Sequence, residues 1–311
     1  MSVRELVILG TAAQIPTQDR NHHGALLRWD DEGLLIDPGE GSQRQLIFTE
    51  LSATSITRIL ISHFHQDHCL GFAGICQRIS LDRVPHTVDV YYPASGALFY
   101  ERLRKASIYH SAAKLSGHPV DGASVVYESP KLTIEARALH HTVDCVGYRL
   151  QERDGVTMLP DKLQQVGVRG PMIGQLQRQG AVTLEDGRTV RVEDVSVPKR
   201  GQAVAFVMDT RPCRGALELA QDVDLLVCEA SFIDAHADEA EKRRNMTARE
   251  AAVLAREAGA KKLVLTHFAP RYDDLTPHLE EAKAVFENTV LAQDGLRIPI
   301  ERPKKPKGGA V

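Results

Sequence analysis

Short apolar runs recur along the chain at residues 6–9, 25–29, 34–36, 58–62 and 88–92, and again at 124–128, 132–139 and 145–150. Three more follow at 203–208, 225–228 and 263–266. Runs of this length, bounded by turn-forming residues, predict strands. Helices are expected between them, over residues 42–48, 72–79, 97–105, 212–220, 247–257 and 277–288. Thr247, followed three residues later by Glu250, carries the capping-box pattern for one helix start. Strands in both halves with helices between them describe an α/β chain.

Residues 151–200 break the pattern. They contain no Phe, Trp or Tyr, and they carry Asp154-Gly155, Gly170-Pro171, Glu185-Asp186-Gly187 and Pro198 as turn or breaker signals. Without aromatic anchors the segment reads as an excursion from a domain that otherwise spans residues 1–300. Its eight Lys/Arg against seven Asp/Glu nearly balance, so charge identifies no partner. A long surface insertion and a binding appendage fit it equally. Residues 301–311 have Pro, Gly and Lys but no apolar face, and read as a flexible basic tail.

At 311 residues and 43% hydrophobic, the chain can bury a substantial core, as one large domain or two small ones. No apolar run approaches the ~20 residues that cross a bilayer. The first residues run straight into the strand at 6–9 without a signal-peptide core, so a cytoplasmic protein with no membrane partner is expected. Five cysteines without paired spacing argue against a disulfide framework. Cys76, Cys145, Cys213 and Cys228 read as core, and Cys69 as a packed thiol. A net charge of −3 and a pI near 6.5 give no support to a generally basic nucleic-acid surface. They leave room for a local patch or for recognition centred on metal ions.

The strongest chemical signal is Ser62-His63-Phe64-His65-Gln66-Asp67-His68, directly after an apolar run. Three imidazoles and a carboxylate fall within six residues, and imidazole nitrogen and carboxylate oxygen are ligands that zinc accepts. A turn after the strand can aim His63 and His65 at one metal and leave Asp67 and His68 for a second. A structural zinc site would favour Cys thiolates in a closed tetrahedron. His140, Asp209 and His267 each stand at the end of an expected strand, where ligands from neighbouring strands converge on one edge of a sheet. His141 competes with His140. Adjacent residues on a strand point to opposite faces, so only one of the two should ligate.

The His-x-His-x-Asp-His motif, with a later His, Asp and His, resembles the metallo-β-lactamase superfamily. Other segments resemble the short form of the ribonuclease Z family within it. They are Gly10-Thr11-Ala12, Pro16-Thr17-Gln18-Asp19-Arg20-Asn21, Asp37-Pro38-Gly39-Glu40-Gly41-Ser42-Gln43, Asp209-Thr210-Arg211-Pro212, Glu229-Ala230-Ser231-Phe232 and Leu265-Thr266-His267-Phe268. The likeness spans about residues 3 to 290.

This resemblance implies an αββα sandwich with a protruding arm, a homodimer, and two zinc ions per subunit at one edge of the sandwich. Mn²⁺ is a possible substitute in such an N/O site. By position His63, His65 and His140 would hold one zinc. Asp67, His68 and His267 would hold the other, with Asp209 between them. The implied activity removes the 3′ trailer from tRNA precursors, leaving a 3′-hydroxyl on the tRNA and a 5′-phosphate on the trailer. Asp67 is the expected general base. The 151–200 excursion falls where the family carries its tRNA-gripping arm, with Gly170-Pro171 as the arm's Gly-Pro turn.

One position departs from the family. Glu229 stands where a Glu–His pair supplies a proton to the leaving group, but the His position holds Asn245, in Asn245-Met246-Thr247. Asn donates hydrogen bonds but no proton at neutral pH. Metal binding with slow cleavage is therefore expected. The alternatives are a hydrolase of small phosphodiesters or sulfate esters, and a catalytically weak protein that binds tRNA precursors. Turnover of a small chromogenic phosphodiester against that of a tRNA precursor tests the first, and tight precursor binding without cleavage at any metal concentration marks the second.

Overall fold

The computed structural model describes residues 3–109 and 112–302. The tail expected over 301–311 lies, from residue 303 onward, outside the described residues. The chain divides into two compact units, one built from residues 1–151 and 203–301 and the other from 152–202.

The larger unit contains two seven-stranded sheets. The first runs in the order Arg297–Pro299, Arg4–Gly10, Gly24–Trp29, Glu32–Ile36, Arg58–Leu60, Val88–Pro93, Leu115–Val120. The second runs Thr289–Leu291, Leu263–Thr266, Leu225–Glu229, Ala203–Val207, Cys145–Glu152, Leu132–Leu139, Ala123–Glu128. Alternation along each strand sends successive side chains to opposite faces. Leu27, Leu34, Ile36 and Leu60 meet Tyr148, Val204, Phe206 and Val227 in a core between the sheets. Leu26, Leu35 and Ile59 point the other way, against Phe72, Ile75 and Ile79 of helix Phe72–Leu81. Ala203, Ala205 and Leu226 do the same against Ala251, Ala252 and Ala255 of helix Ala248–Glu257. The order is helix, sheet, sheet, helix: an αββα sandwich. Coverage on both faces explains why strands such as Ala203–Val207 and Leu225–Glu229 read as near-continuous apolar runs, whereas Leu132–Leu139 alternates through Thr133, Glu135 and Arg137.

Small side chains set the spacing in the last of these layers. Ala248, Ala251, Ala252 and Ala255 recur at helical spacing and are fully buried, which lets the helix backbone lie close on Ala203 and Ala205. The helix begins as expected: Thr247 accepts from the Glu250 N–H, and Glu250 accepts from the Thr247 N–H.

The sheets also place the chemistry. Glu32–Ile36 and Arg58–Leu60 are parallel, as are Ala203–Val207, Leu225–Glu229 and Leu263–Thr266. Their carboxyl ends therefore leave Asp37 and Ser62, and then Asp209, Glu229 and His267, at one edge. Two bonds tie the sheets together there. Ser62 carbonyl accepts from Val146 N–H at 2.9 Å, and Ile61 carbonyl accepts from the Tyr148 hydroxyl at 2.8 Å.

Most expected elements are present; strands Thr289–Leu291 and Arg297–Pro299 and the short helix Gln66–Cys69 are additions, and three further differences stand out. The last long helix stops at Lys283. The edge strand Leu115–Val120 was not foreseen; it has only Val120 buried, so no apolar run marks it. Helix Ala237–Arg243 buries only Ala240 and shows no apolar stripe.

The smaller unit has its own aliphatic core of Leu163, Val168, Leu176, Val182, Val190 and Val195. It pairs Gly155–Met158 with Ser196–Lys199 and Ala181–Thr183 with Thr189–Arg191, and adds helices Pro160–Val166 and Pro171–Gln179. Gly170 precedes the second helix at φ 53°, ψ −130°, a conformation that glycine takes without a Cβ penalty.

Candidate metal centre

The motif leaves strand Arg58–Leu60 as an extended loop and turns into the short helix Gln66–Cys69. Close packing fixes that path. A Cβ at Gly39 would lie 2.2 Å from the Asp67 carbonyl oxygen, and one at Gly96 would lie 2.0 Å from the Phe64 ring. Neither position can carry a side chain without moving the motif.

Two groups of ligand-type atoms result. In the first, His65 Nδ1 is 3.0 Å from His63 Nε2 and 3.2 Å from His141 Nε2. Asp209 Oδ2 stands 3.6 Å from His141 Nε2 and 3.7 Å from His63 Nε2. In the second, His68 Nε2 faces His267 Nε2 at 3.0 Å, and Asp67 Oδ2 lies 3.3 Å from His267 Nε2. Asp209 Oδ1 is 3.6 Å from His68 Nε2, so this one carboxylate faces both groups. Tetrahedral bonds of about 2.0–2.1 Å separate ligand atoms by roughly 3.3 Å, which these distances match.

Outer partners fix which nitrogens are free. Asp37 Oδ2 accepts from His68 Nδ1 at 2.9 Å and from the Ser62 hydroxyl at 2.7 Å, while its Oδ1 accepts from Ser62 N–H. The Ser62 oxygen in turn accepts from His63 Nδ1 at 2.9 Å. Glu229, Ser231 and His267 repeat the arrangement: the Ser231 hydroxyl donates to Glu229 Oε2 at 2.7 Å and accepts from His267 Nδ1 at 2.9 Å. His141 Nδ1 donates to the Arg244 carbonyl. Each of these rings therefore carries its proton on Nδ1 and turns an Nε2 lone pair inward.

Buried lone pairs facing each other at 3.0 Å repel unless a cation lies between them. The carboxylates make the same demand. Among the described residues no lysine or arginine pairs with Asp37, Asp67, Asp209 or Glu229. Burial opposes charge on His68, yet Asp209, Asp67 and Asp37 push its pKa up to about 10, a proton standing where a cation is needed. Burial also works against charge on Asp67, but His68, His267 and the Gln14 N–H outweigh it and hold the carboxyl well below the usual range. The residues fit a pair of divalent cations with N and O ligands.

Five non-glycine residues in the left-handed region meet here: Gln14 (φ 63°), Asp37 (43°), Asp209 (40°), Arg244 (56°) and His267 (61°). Such conformations persist where the surroundings over-determine them, as at functional sites. A cleft of about 480 Å³ opens over the ligands, lined also by Gln14, Ile15, Ser231, Phe232 and Asn245.

Of the residues expected from sequence, His63, His65, Asp67, His68, Asp209 and His267 come together. His140 does not. The strand stops at Leu139, and His140 makes an isolated bridge with Arg211, its N–H bonded to the Thr210 hydroxyl and its side chain exposed. The backbone then bends, and the next residue, His141, is buried with its ring in the first group. Strand alternation gives no guidance past such a bend.

Glu229 and Asn245 are both buried, with Asn245 Nδ2 donating to Glu229 Oε1 at 3.0 Å. Burial, and then the Asp209 charge, push the Glu229 carboxyl up to about 7. Glu229 is near enough to Asp209 and His267 to count as a third ligand group. Thr210 N–H, Asn245, Ser231 N–H and the Ser231 hydroxyl already use its oxygens, so we assign it to support rather than to ligation. Gly170 and Pro171 lie in the smaller unit. Sequence reasoning gave no role to Gln14, Ser62, Ser231 or Arg244. Asp37 appeared only within a resembling segment, although it stands at a strand end just as Asp209 does.

Residues 19–156 match the family model of the metallo-β-lactamase superfamily. The ribonuclease Z of Nocardia farcinica is 54% identical over 303 residues, covering 96% of this chain and 99% of that protein. The ribonuclease Z of Streptomyces avermitilis is 48% identical, covering 97% and 99%. The crystal structure of human tRNase Z, short form, superposes with a TM-score of 0.69 at 24% identity, covering 96% of this chain and 100% of that one. The fold, the His/Asp cluster and near full-length identity agree: the chain belongs to the ribonuclease Z family of the metallo-β-lactamase superfamily.

Proposed function

We propose that the chain is a zinc-dependent endoribonuclease that removes the 3′ trailer from tRNA precursors, slowed by Asn245 at the proton-donor position. The observation that carries the metal-dependent part is the inward convergence of four Nε2 lone pairs, His65 Nδ1 and two carboxylates with no lysine or arginine partner among the described residues. His63, His65, His141 and Asp209 Oδ2 would hold one ion, and Asp67, His68, His267 and Asp209 Oδ1 the other. Two zinc ions so held, or Mn²⁺ in their place, would supply Lewis acidity that activates water and offsets charge on the scissile phosphate.

The chain's own groups do the rest. Asp67 Oδ2 is fixed by the Gln14 N–H at 2.6 Å. No protein donor reaches Asp67 Oδ1 among the described residues, so this oxygen is free to accept from the attacking water, the base role read from sequence. Glu229 orients Asn245, whose amide can donate a hydrogen bond toward the ribose 3′-oxygen but cannot give it a proton. Missing general-acid help typically costs about 10²–10⁴-fold in rate.

The smaller unit, with Gly170 and Pro171, is assigned to the tRNA body and the active form to a homodimer; the family likeness supports both. The enzyme is assigned to the cytoplasm, as the sequence reading expects. Cleavage of a 3′-extended tRNA precursor, with the new end mapped, tests the reading. A cut just after the discriminator nucleotide, with a 3′-hydroxyl on the tRNA, is expected. No cut by folded, zinc-loaded protein or by its Asn245→His variant would sink it.

A further inference from the structure

Position 244 joins parts of the site that are distant in sequence. Arg244 caps helix Ala237–Arg243 in the left-handed region, at φ 56°, ψ 48°, a conformation disfavoured for any residue with a Cβ. Its surroundings hold it there. The Arg244 carbonyl accepts from His141 Nδ1 at 3.1 Å, and Arg244 Nη1 donates to the His141 carbonyl at 2.7 Å. Two bonds in opposite directions thus link residues 103 positions apart. The N–H groups of Arg244 and Asn245 close onto the carbonyls of Glu241 and Ala240 at 3.2 and 2.9 Å. Arg211 Nη1 donates to the Asn245 carbonyl at 2.6 Å, completing the turn.

His141 takes its support from a different source than His63, His68 and His267 do. Those three are oriented by buried Asp37, Ser62 and Ser231. His141 follows a bend with no strand to hold it, and its Nδ1 partner is the Arg244 carbonyl. A carbonyl only accepts, so it requires the proton on Nδ1 and leaves the Nε2 lone pair facing His65 and Asp209.

We propose that Arg244 is a positioning residue for one half of the metal centre: its carbonyl sets the His141 tautomer, and its guanidinium pins the His141 backbone. The inference rests on the metal-centre reading above. Without the side chain, the loop carrying His141 loses one of the two bonds and the ring loses its fixed approach. The half built from His63, His65 and His141 weakens, while the half built from Asp67, His68 and His267 does not.

The test is competition for Zn²⁺ between a chromogenic chelator and the wild-type chain, Arg244→Gly, Arg244→Lys, His141→Ala and the neighbouring surface control Lys242→Ala. Glycine accepts φ 56° without strain, so Arg244→Gly removes the guanidinium and spares the turn. The wild type and Lys242→Ala should bind two equivalents. Arg244→Gly should lose about 10–100-fold in affinity for one equivalent only, as His141→Ala does more severely. The metal-free melting temperature of Arg244→Gly should not fall, which separates positioning from general damage. Arg244→Lys, which keeps the charge but not the fork, should fall between and serves if the glycine variant does not fold. Two equivalents bound by Arg244→Gly at wild-type affinity, or equal weakening of both, overturns the proposal and leaves the metal centre standing. A wild-type chain that binds no divalent ion overturns both.

Discussion

Asn245 Nδ2 donates to Glu229 Oε1 across 3.0 Å inside the protein, so the position proposed for the proton donor is occupied by a group that orients but cannot titrate. An imidazole there would meet the same carboxylate, whose pKa burial and Asp209 push up to about 7. Asn245→His should therefore raise single-turnover cleavage of a tRNA precursor, by up to about 10²–10⁴-fold, and add a limb to the pH–rate profile. Zinc content should stay at the wild-type level, since Asn245 holds no ligand atom. An unchanged rate in the histidine variant would show that the leaving group is protonated from elsewhere.

His140 and His141 are neighbours with opposite fates. His141→Ala removes a ring from the first ligand group, and zinc titration should show one tight equivalent fewer, with cleavage lost. His140 is exposed and joined to Arg211 and Thr210 through its backbone, so His140→Ala should keep both equivalents and near wild-type stability. The opposite pattern in the two alanine variants would return the ligand role to His140.

The contrast marks where sequence reading stops. The α/β class was legible because runs such as 203–208 and 225–228 must bury both faces, and only covered sheets do so; the sandwich itself was expected only from the family resemblance. Six of the seven residues expected as ligands converge in the structure, and their convergence was legible from the dense motif or from strand ends. His141 was not, because a bend after Leu139 ends the alternation that would have ranked it. Ser62, Ser231 and Arg244 were invisible for another reason. Each acts through hydrogen bonds that the fold brings together, Ser62 to Asp37, Ser231 to His267 and Arg244 to His141, and no local spacing encodes those. The segment 151–200 was set apart in the sequence, but its internal elements and core were not foreseen, because the elements are short and the core is aliphatic, with no aromatic residue to mark a buried face.

Asp37 serves both halves of the site at once, through His68 directly and through Ser62 to His63. Asp37→Asn keeps the shape but turns an N–H₂ toward donors and removes the charge opposite His68. Chelator competition should show both equivalents weakened, by about 10–100-fold. Urea unfolding of the metal-free chain should show a loss of about 1–3 kcal/mol, the usual cost of an unsatisfied buried group. Weakening confined to one equivalent would mean that the Ser62 relay does not matter.

His278 offers a stability switch away from the ligands. It is fully buried against Phe268 and Tyr272 in edge-on contacts, and among the described residues neither ring nitrogen has a hydrogen-bond partner. Burial, with a smaller contribution from the Arg20 charge, lowers its pKa from 6.5 to about 4. The folded-state value lies below the unfolded one, so as the pH drops the unfolded chain takes up this proton first. The contribution to stability is fully present above pH 6.5 and is lost as the pH falls toward 4, at up to about 1.4 kcal/mol per unit and about 3 kcal/mol in total. His278→Leu fills much of the same space with nothing to titrate. Urea unfolding of both chains from pH 7.5 to 4.5 should show the leucine variant gaining relative stability steadily below pH 6.5. Parallel curves for the two chains would mean that His278 accepts a proton in place, and that its burial is looser than the packing around it indicates.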